Sequence, residues 1–215
     1  MTIAEDARAT RQLPPGLWDR LRTDPARAPE HIALAAARSF GPQAARWADD
    51  KRARFAVSPA ELGKMAKTRH ATLARLEGAA TGVGGIITML PDLVGLAWIQ
   101  SRLVFYVAAA YGYDPRDPMR PAELLVLHDL YPDPLAARRA LDGMGDHVAL
   151  AYVSSRLTMS DDEMLTYKLA KFVGVRSARK LAGRMIPGVA IAFNAVGNER
   201  RTRALADRAI RFYGG

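Results

Sequence analysis

The chain contains no cysteine, which excludes disulfides, thiolate metal sites and thiol nucleophiles. Other chemical signatures are missing too. No Gly-x-Ser-x-Gly elbow occurs, none of the four histidines (His31, His70, His128, His147) has HExxH or comparable metal spacing, and no glycine-rich turn is followed by the Lys-Ser/Thr of a phosphate-binding loop. No cofactor is therefore expected, and no catalytic mechanism can be read from the residues. Residues 1–11 are polar and charged, with no apolar stretch of signal-peptide length behind them, so a cytoplasmic location is expected. No run shows sustained period-two alternation with β-branched enrichment, which removes the case for strands. The basic segments lack interleaved aromatics and any helix-turn-helix pattern, so nucleic acid is not the expected partner.

Helix punctuation is abundant. Pro29, Pro42, Pro59 and Pro134 each sit where a first helical residue would, a position at which proline's missing N–H costs nothing. Ser58 with Glu61 and Ser160 with Glu163 have capping-box spacing, Asp133 precedes Pro134 as a further start, and Gly41 and Gly174 fall at the ends of helical patterns. These signals predict an all-α protein with helices near 29–40, 43–56, 59–80, 92–111, 121–131, 134–142, 146–156, 161–173, 177–185 and 199–213. Residues 1–24 and 112–120 read as tail or loop. The size suits one substantial multi-helix core with room for a small helical extension.

Two stretches depart from amphipathic patterning. Residues 78–113 begin with Gly78, Gly82, Gly84 and Gly85, pass through Pro91 and Asp92, and continue as a helix apolar on nearly every face, interrupted by Gln100 and Arg102. Residues 185–197 form a second apolar run with Pro187, Gly188, Gly197 and one polar side chain, Asn194. Neither reaches 18 uninterrupted apolar residues, so two glycine-rich apolar hairpins are expected rather than a membrane span. The net charge of +9 is concentrated beside them: residues 51–77 carry an excess of five positive charges and residues 160–215 an excess of six. Arginine-rich, GC-biased coding explains part of that charge. Its position is also where a protein meeting anionic lipid would place it.

Residues 76–114, LEGAATGVGGIITMLPDLVGLAWIQSRLVFYVAAAYGYD, combine an acidic residue with glycines, a Pro-Asp-Leu, a long apolar helix and Tyr111-Gly112-Tyr113. Together with RMIPGVAIAFNAVGNERRTRALADRAIRFYG near the C-terminus, they resemble the two conserved segments of the EcsC family. The resemblance covers roughly residues 58–215, which it implies as the helical domain, and leaves residues 1–57 as an N-terminal helical extension. It implies an all-helical, membrane-associated or membrane-adjacent bacterial protein.

The candidate site residues follow from both readings. Glu77, Gly78, Gly82, Gly85, Pro91, Asp92, Arg102, Tyr111, Gly112 and Asn194 form a ligand-binding or structural motif. In it, Asp92 is a candidate cap for a helix starting at Leu93, and Glu77 with Asp92 a candidate carboxylate pair. Arg102 either pairs with an acid, snorkels to a polar boundary or binds a headgroup. Arg179, Lys180, Arg184, Arg200, Arg201 and Arg203 are the candidates for attracting anionic membrane lipid at the cytoplasmic face. The last helix is basic on one side and apolar on the other, which suits a membrane surface or an ordinary domain-closing helix. The alternative is a soluble scaffold or adaptor whose partner is another protein or a second copy of itself.

Overall fold

The computed structural model describes residues 12–81, 89–143, 160–175 and 195–215. These residues form an all-α protein: α1 (Leu17–Thr23), a 3-10 turn (Pro25–Arg27), α2 (Ala28–Arg54), α3 (Pro59–Thr81), α4 (Met89–Ala110), α5 (Arg120–Leu127), α6 (Pro134–Asp142), α7 (Asp161–Phe172) and α8 (Ala195–Gly214). The expected helices at 146–156 and 177–185, and the apolar turns around Gly82, Gly84, Gly85 and Asn194, lie outside the described residues.

Local chemistry starts several helices as read. Ser160 Oγ accepts from the Glu163 N–H at 3.3 Å while the Ser160 N–H donates to Glu163 Oε2 at 2.8 Å, a reciprocal capping box. Ser58 and Glu61 do the same for α3, and the Ser58 N–H holds the Glu61 carboxyl below its ordinary value. Asp133 Oδ1 accepts from Ala136 N at 2.8 Å in front of Pro134.

Two expectations fail for a common reason, burial. Residues 17–23 are helical rather than tail because Leu17 and Leu21, one turn apart, are both fully buried. The break expected at Gly41-Pro42 is absent: α2 runs through Pro42, because Ala33, Ala36, Phe40, Ala44 and Ala48 make one continuous buried stripe across it. Gly41 serves close packing instead of capping, since a Cβ there would come within 2.8 Å of the Pro115 carbonyl oxygen. Helix α4 begins three residues before Asp92, so Asp92 does not cap it. It adds a carboxylate to the first turn, where the helix dipole favours one.

Helix α4 is the axis of the core. Its Leu90–Ala110 stretch is long and apolar enough to cross a membrane by length and composition, yet 94% of the window is buried inside the protein. Packed on α2, α3 and α8, it satisfies its apolar faces against protein. A single buried cluster runs from Leu17 and Leu21 through α2, α4, α5 and α7 to Leu205, Ala206, Ala209 and Tyr213 of α8. Helices α3 and α8 lie antiparallel beside it: Lys67 pairs with Asp207 near the middle and Arg75 with Glu199 toward one end.

Candidate functional site

The Tyr111-Gly112-Tyr113 signature closes the far end of α4. Gly112 has φ +88°, its N–H donates to Ala109 O at 3.1 Å and the Tyr113 N–H to Ala108 O at 3.1 Å, the Schellman arrangement that ends a helix at a left-handed residue. Arg52, reaching over from α2, donates to the carbonyls of Ala109 and Ala110 at 2.7 and 3.2 Å. The Tyr111 ring is flanked by two glycines: a Cβ at Gly63 would sit 2.9 Å from it and one at Gly214 3.0 Å. Tyr113 stacks near Tyr213 with centroids 5.1 Å apart, and the Arg120 guanidinium lies over both rings. Arg120 pairs with Glu123, which also accepts from the Tyr213 hydroxyl at 2.7 Å. Burial pushes the Glu123 carboxyl up, opposed by the hydrogen bond from Tyr213 and the charge of Arg120. Burial, then the Glu123 charge, raises the Tyr213 phenol well above its ordinary value. These residues clasp the last helix to the core.

Arg102 is buried in the core. Its Nη2 donates to the Tyr106 hydroxyl at 3.1 Å, and its guanidinium lies 5.0 Å from the Tyr106 ring centroid and 5.8 Å from that of Phe40. That placement is among aromatic faces rather than at a polar boundary. Near it, His70 Nδ1 is 2.8 Å from Ala66 O and its ring stands edge-on to Tyr106.

At the opposite end from the tyrosines, Glu77 is buried where the end of α3 meets the start of α4. A Cβ on Gly95 would come within 2.7 Å of Glu77 Oε1, so the carboxylate occupies the space a larger residue would fill. Gly78 follows on α3, while Pro91 and Asp92 lie in the first turn of α4. Arg75, Glu199 and Arg203 form an ion cluster on the facing surfaces of α3 and α8. Leu76 and Val196 are exposed beside it. Gly82, Gly85, Asn194, Arg179, Lys180 and Arg184 lie outside the described residues.

A groove of about 1060 Å³ runs along α8 against the ends of α5 and α7. Five cationic side chains (Lys171, Arg200, Arg201, Arg208 and Arg211) and two carboxylates (Asp129 and Asp207) line it, an excess of three positive charges. Both carboxylates are engaged, Asp129 by Arg208 and Asp207 by Lys67. Asp129 is held at φ +57°, an unusual backbone for a residue with a Cβ. Burial lowers the Arg201 guanidinium from its ordinary value. Gln100 and His128 are also among the residues that line it. The His128 ring stacks on Phe172 at 4.0 Å, and Nδ1 lies 2.5 Å from the Phe172 carbonyl oxygen. Because that oxygen can only accept, Nδ1 carries the proton and Nε2 is left as an acceptor. Burial drives the His128 pKa down to about 3, so the ring is neutral at physiological pH.

The groove therefore gathers Arg200 and Arg201 from the expected cations, but not Arg203, whose guanidinium turns to Glu199. Neither Glu77 nor Asp92 lines it. Lys171, Arg208, Arg211, Gln100 and His128 join from four helix segments that only folding brings together. Local signals existed for Gln100, a polar interruption of an apolar helix, and for Arg208 and Arg211 on the basic side of the last helix, but nothing local joined them into a site.

A one-domain helical protein with a glycine-flanked tyrosine clasp and a basic groove is the class that fold and site define. The chain belongs to the EcsC protein family, which it matches over residues 31–214. The match thus includes most of α2 as well as the helices after it. A 44-residue stretch, 20% of this chain, is 39% identical to a segment of a Bacillus subtilis (strain 168) protein named "Uncharacterized protein YdbA". That stretch spans 16% of the relative's length. No solved structure matches the chain.

Proposed function

We propose that this protein docks reversibly on anionic lipid at the cytoplasmic face of a membrane, through the end of the bundle where α3 ends and α4 and α8 begin. The supporting observation is convergence. Contact of Glu77 with the Gly95 position and the pairing of Arg75 with Glu199 bring these three helix ends together. The described residues that flank the two glycine-rich apolar sequences, Thr81 and Met89 about the first and Ala195 after the second, therefore lie at this end. Arg75, Arg200 and Arg203 lie there, and the sequence adds Arg179, Lys180 and Arg184 between Val175 and Ala195. Apolar sequence flanked by cations suits an anionic interface, at which each basic side chain contributes roughly 1 kcal/mol. With α4 spent on the core, the contact is peripheral and does not span the bilayer.

Co-sedimentation with vesicles tests this reading. Binding to phosphatidylglycerol-containing vesicles is expected at low salt, weakening as salt rises, with none to phosphatidylcholine vesicles. Arg75→Glu with Arg203→Glu, two changes outside the groove, is expected to weaken binding by about tenfold or more. Absence of binding at any salt would reject the proposal and point to a protein partner or a second copy of the chain.

A further inference from the structure

We infer that the groove along α8 is a binding site for a phosphate ester that also carries free hydroxyl groups. The inference deepens the membrane reading by naming the headgroup chemistry, and it rests on the groove's own composition. Its cations exceed its carboxylates by three, and both carboxylates are already paired. Lys171, Arg200 and Arg211 make no ion pair among the described residues, which leaves their charge available to an anion. Arginine guanidinium groups present planar forks of N–H donors that match phosphate oxygens, and four of the five cations, Arg200, Arg201, Arg208 and Arg211, project from one helix.

Charge alone would fit any anion, but two further groups narrow the chemistry. Gln100 is 1% exposed and His128 4% exposed, and both line the groove. Gln100 Nε2 is directed at Thr202 Oγ1, 3.5 Å away, while its Oε1 meets no donor among the described residues. His128 spends its proton on Phe172, and its Nε2 likewise meets no donor there. Buried acceptors without donors are costly and uncommon. A ligand that satisfies them must bring O–H or N–H groups, whereas the surrounding cations select for negative charge. A hydroxyl-bearing phosphate ester supplies both: its phosphate oxygens go to the arginines and lysine, and its hydroxyls donate to Gln100 Oε1 and His128 Nε2.

The test is an NMR titration of the full chain with two water-soluble phosphodiesters of equal charge. One is glycerophosphoglycerol, which carries hydroxyls; the other is dimethyl phosphate, which carries none. Glycerophosphoglycerol is expected to perturb groove residues and to bind about tenfold more tightly, the effect of two satisfied acceptors. Lys171→Glu with Arg211→Glu is expected to weaken both probes by about tenfold. Gln100→Met is expected to shrink the difference between the probes, with an unchanged far-UV circular dichroism spectrum reporting that the variant is folded. Equal affinity for the two probes, or binding of neither, would overturn the inference. If glycerophosphoglycerol displaces the protein from phosphatidylglycerol vesicles, the ligand is a lipid headgroup. Binding without displacement makes it a soluble ester, and either result upholds the site. Vesicle binding with no probe binding rejects the groove alone, and probe binding with no vesicle binding rejects the membrane reading alone.

Discussion

Glu123→Ala is expected to lower the unfolding free energy by about 3–5 kcal/mol, the usual consequence of removing one partner of a buried charge pair. The loss arises because Arg120, 7% exposed, would keep its charge inside the protein with, among the described residues, only Asp117 at 3.7 Å as a counter-ion, and the buried Tyr213 hydroxyl would lose its acceptor. The same arginine lies over both Tyr113 and Tyr213, which join α8 to the core, so α8 should loosen from the core first. Glu123→Gln keeps an oxygen to accept from Tyr213 and Arg120 but not the negative charge, so it is expected to cost less than Glu123→Ala. The pH dependence has a definite sign. Burial raises the folded-state Glu123 pKa above its ordinary 4.5, so the folded chain holds that proton more tightly than the unfolded one. Its contribution to stability is therefore largest below pH 4.5 and declines as pH rises through the raised value. Denaturant unfolding of wild type and Glu123→Gln at several pH values checks both statements; equal slopes against pH would contradict them.

Trp98→Ala should be comparably damaging, about 3–5 kcal/mol, as for large-to-small changes at filled core sites. Trp98 is 2% exposed, sits in the middle of α4, and packs on Phe40 of α2 with ring centroids 4.6 Å apart. For a chain of this length the melting temperature should fall by roughly 6–20 °C. The measurement also bears on the membrane question. If α4 faced lipid, removing the indole would cost the water-soluble fold little, and a loss below about 1 kcal/mol would indicate that Trp98 is not in the protein interior.

The features legible in the sequence are those whose physics is local. Ser160 and Glu163 sit three residues apart and satisfy each other's backbone, and Asp133 before Pro134 does the same for α6. The tyrosine signature was visible as a pattern, but its role depends on Gly63 and Gly214, far away in sequence. Pro42 misled because a buried alanine stripe outweighs one lost helical hydrogen bond, and Asp92 because Met89 and Leu90 extend α4 upstream. The groove was hidden for a different reason. Arg208 reaches Asp129 across 79 residues, His128 reaches Phe172 across 44, and Gln100 reaches Thr202 across 102. No periodicity within a helix encodes such pairings.

The docking orientation can be read from single-site fluorescence, which the absence of cysteine makes straightforward. A cysteine at Val196, 51% exposed at the proposed docking end, and one at Phe55, 54% exposed beyond Arg52 at the tyrosine end, would each carry an environment-sensitive dye. Helix α4 separates the two ends by about 33 Å. With phosphatidylglycerol vesicles, the dye at position 196 is expected to shift to the blue while the dye at 55 stays unchanged. A shift at 55 alone, equal shifts at both positions, or no shift at either would contradict docking through this end of the bundle.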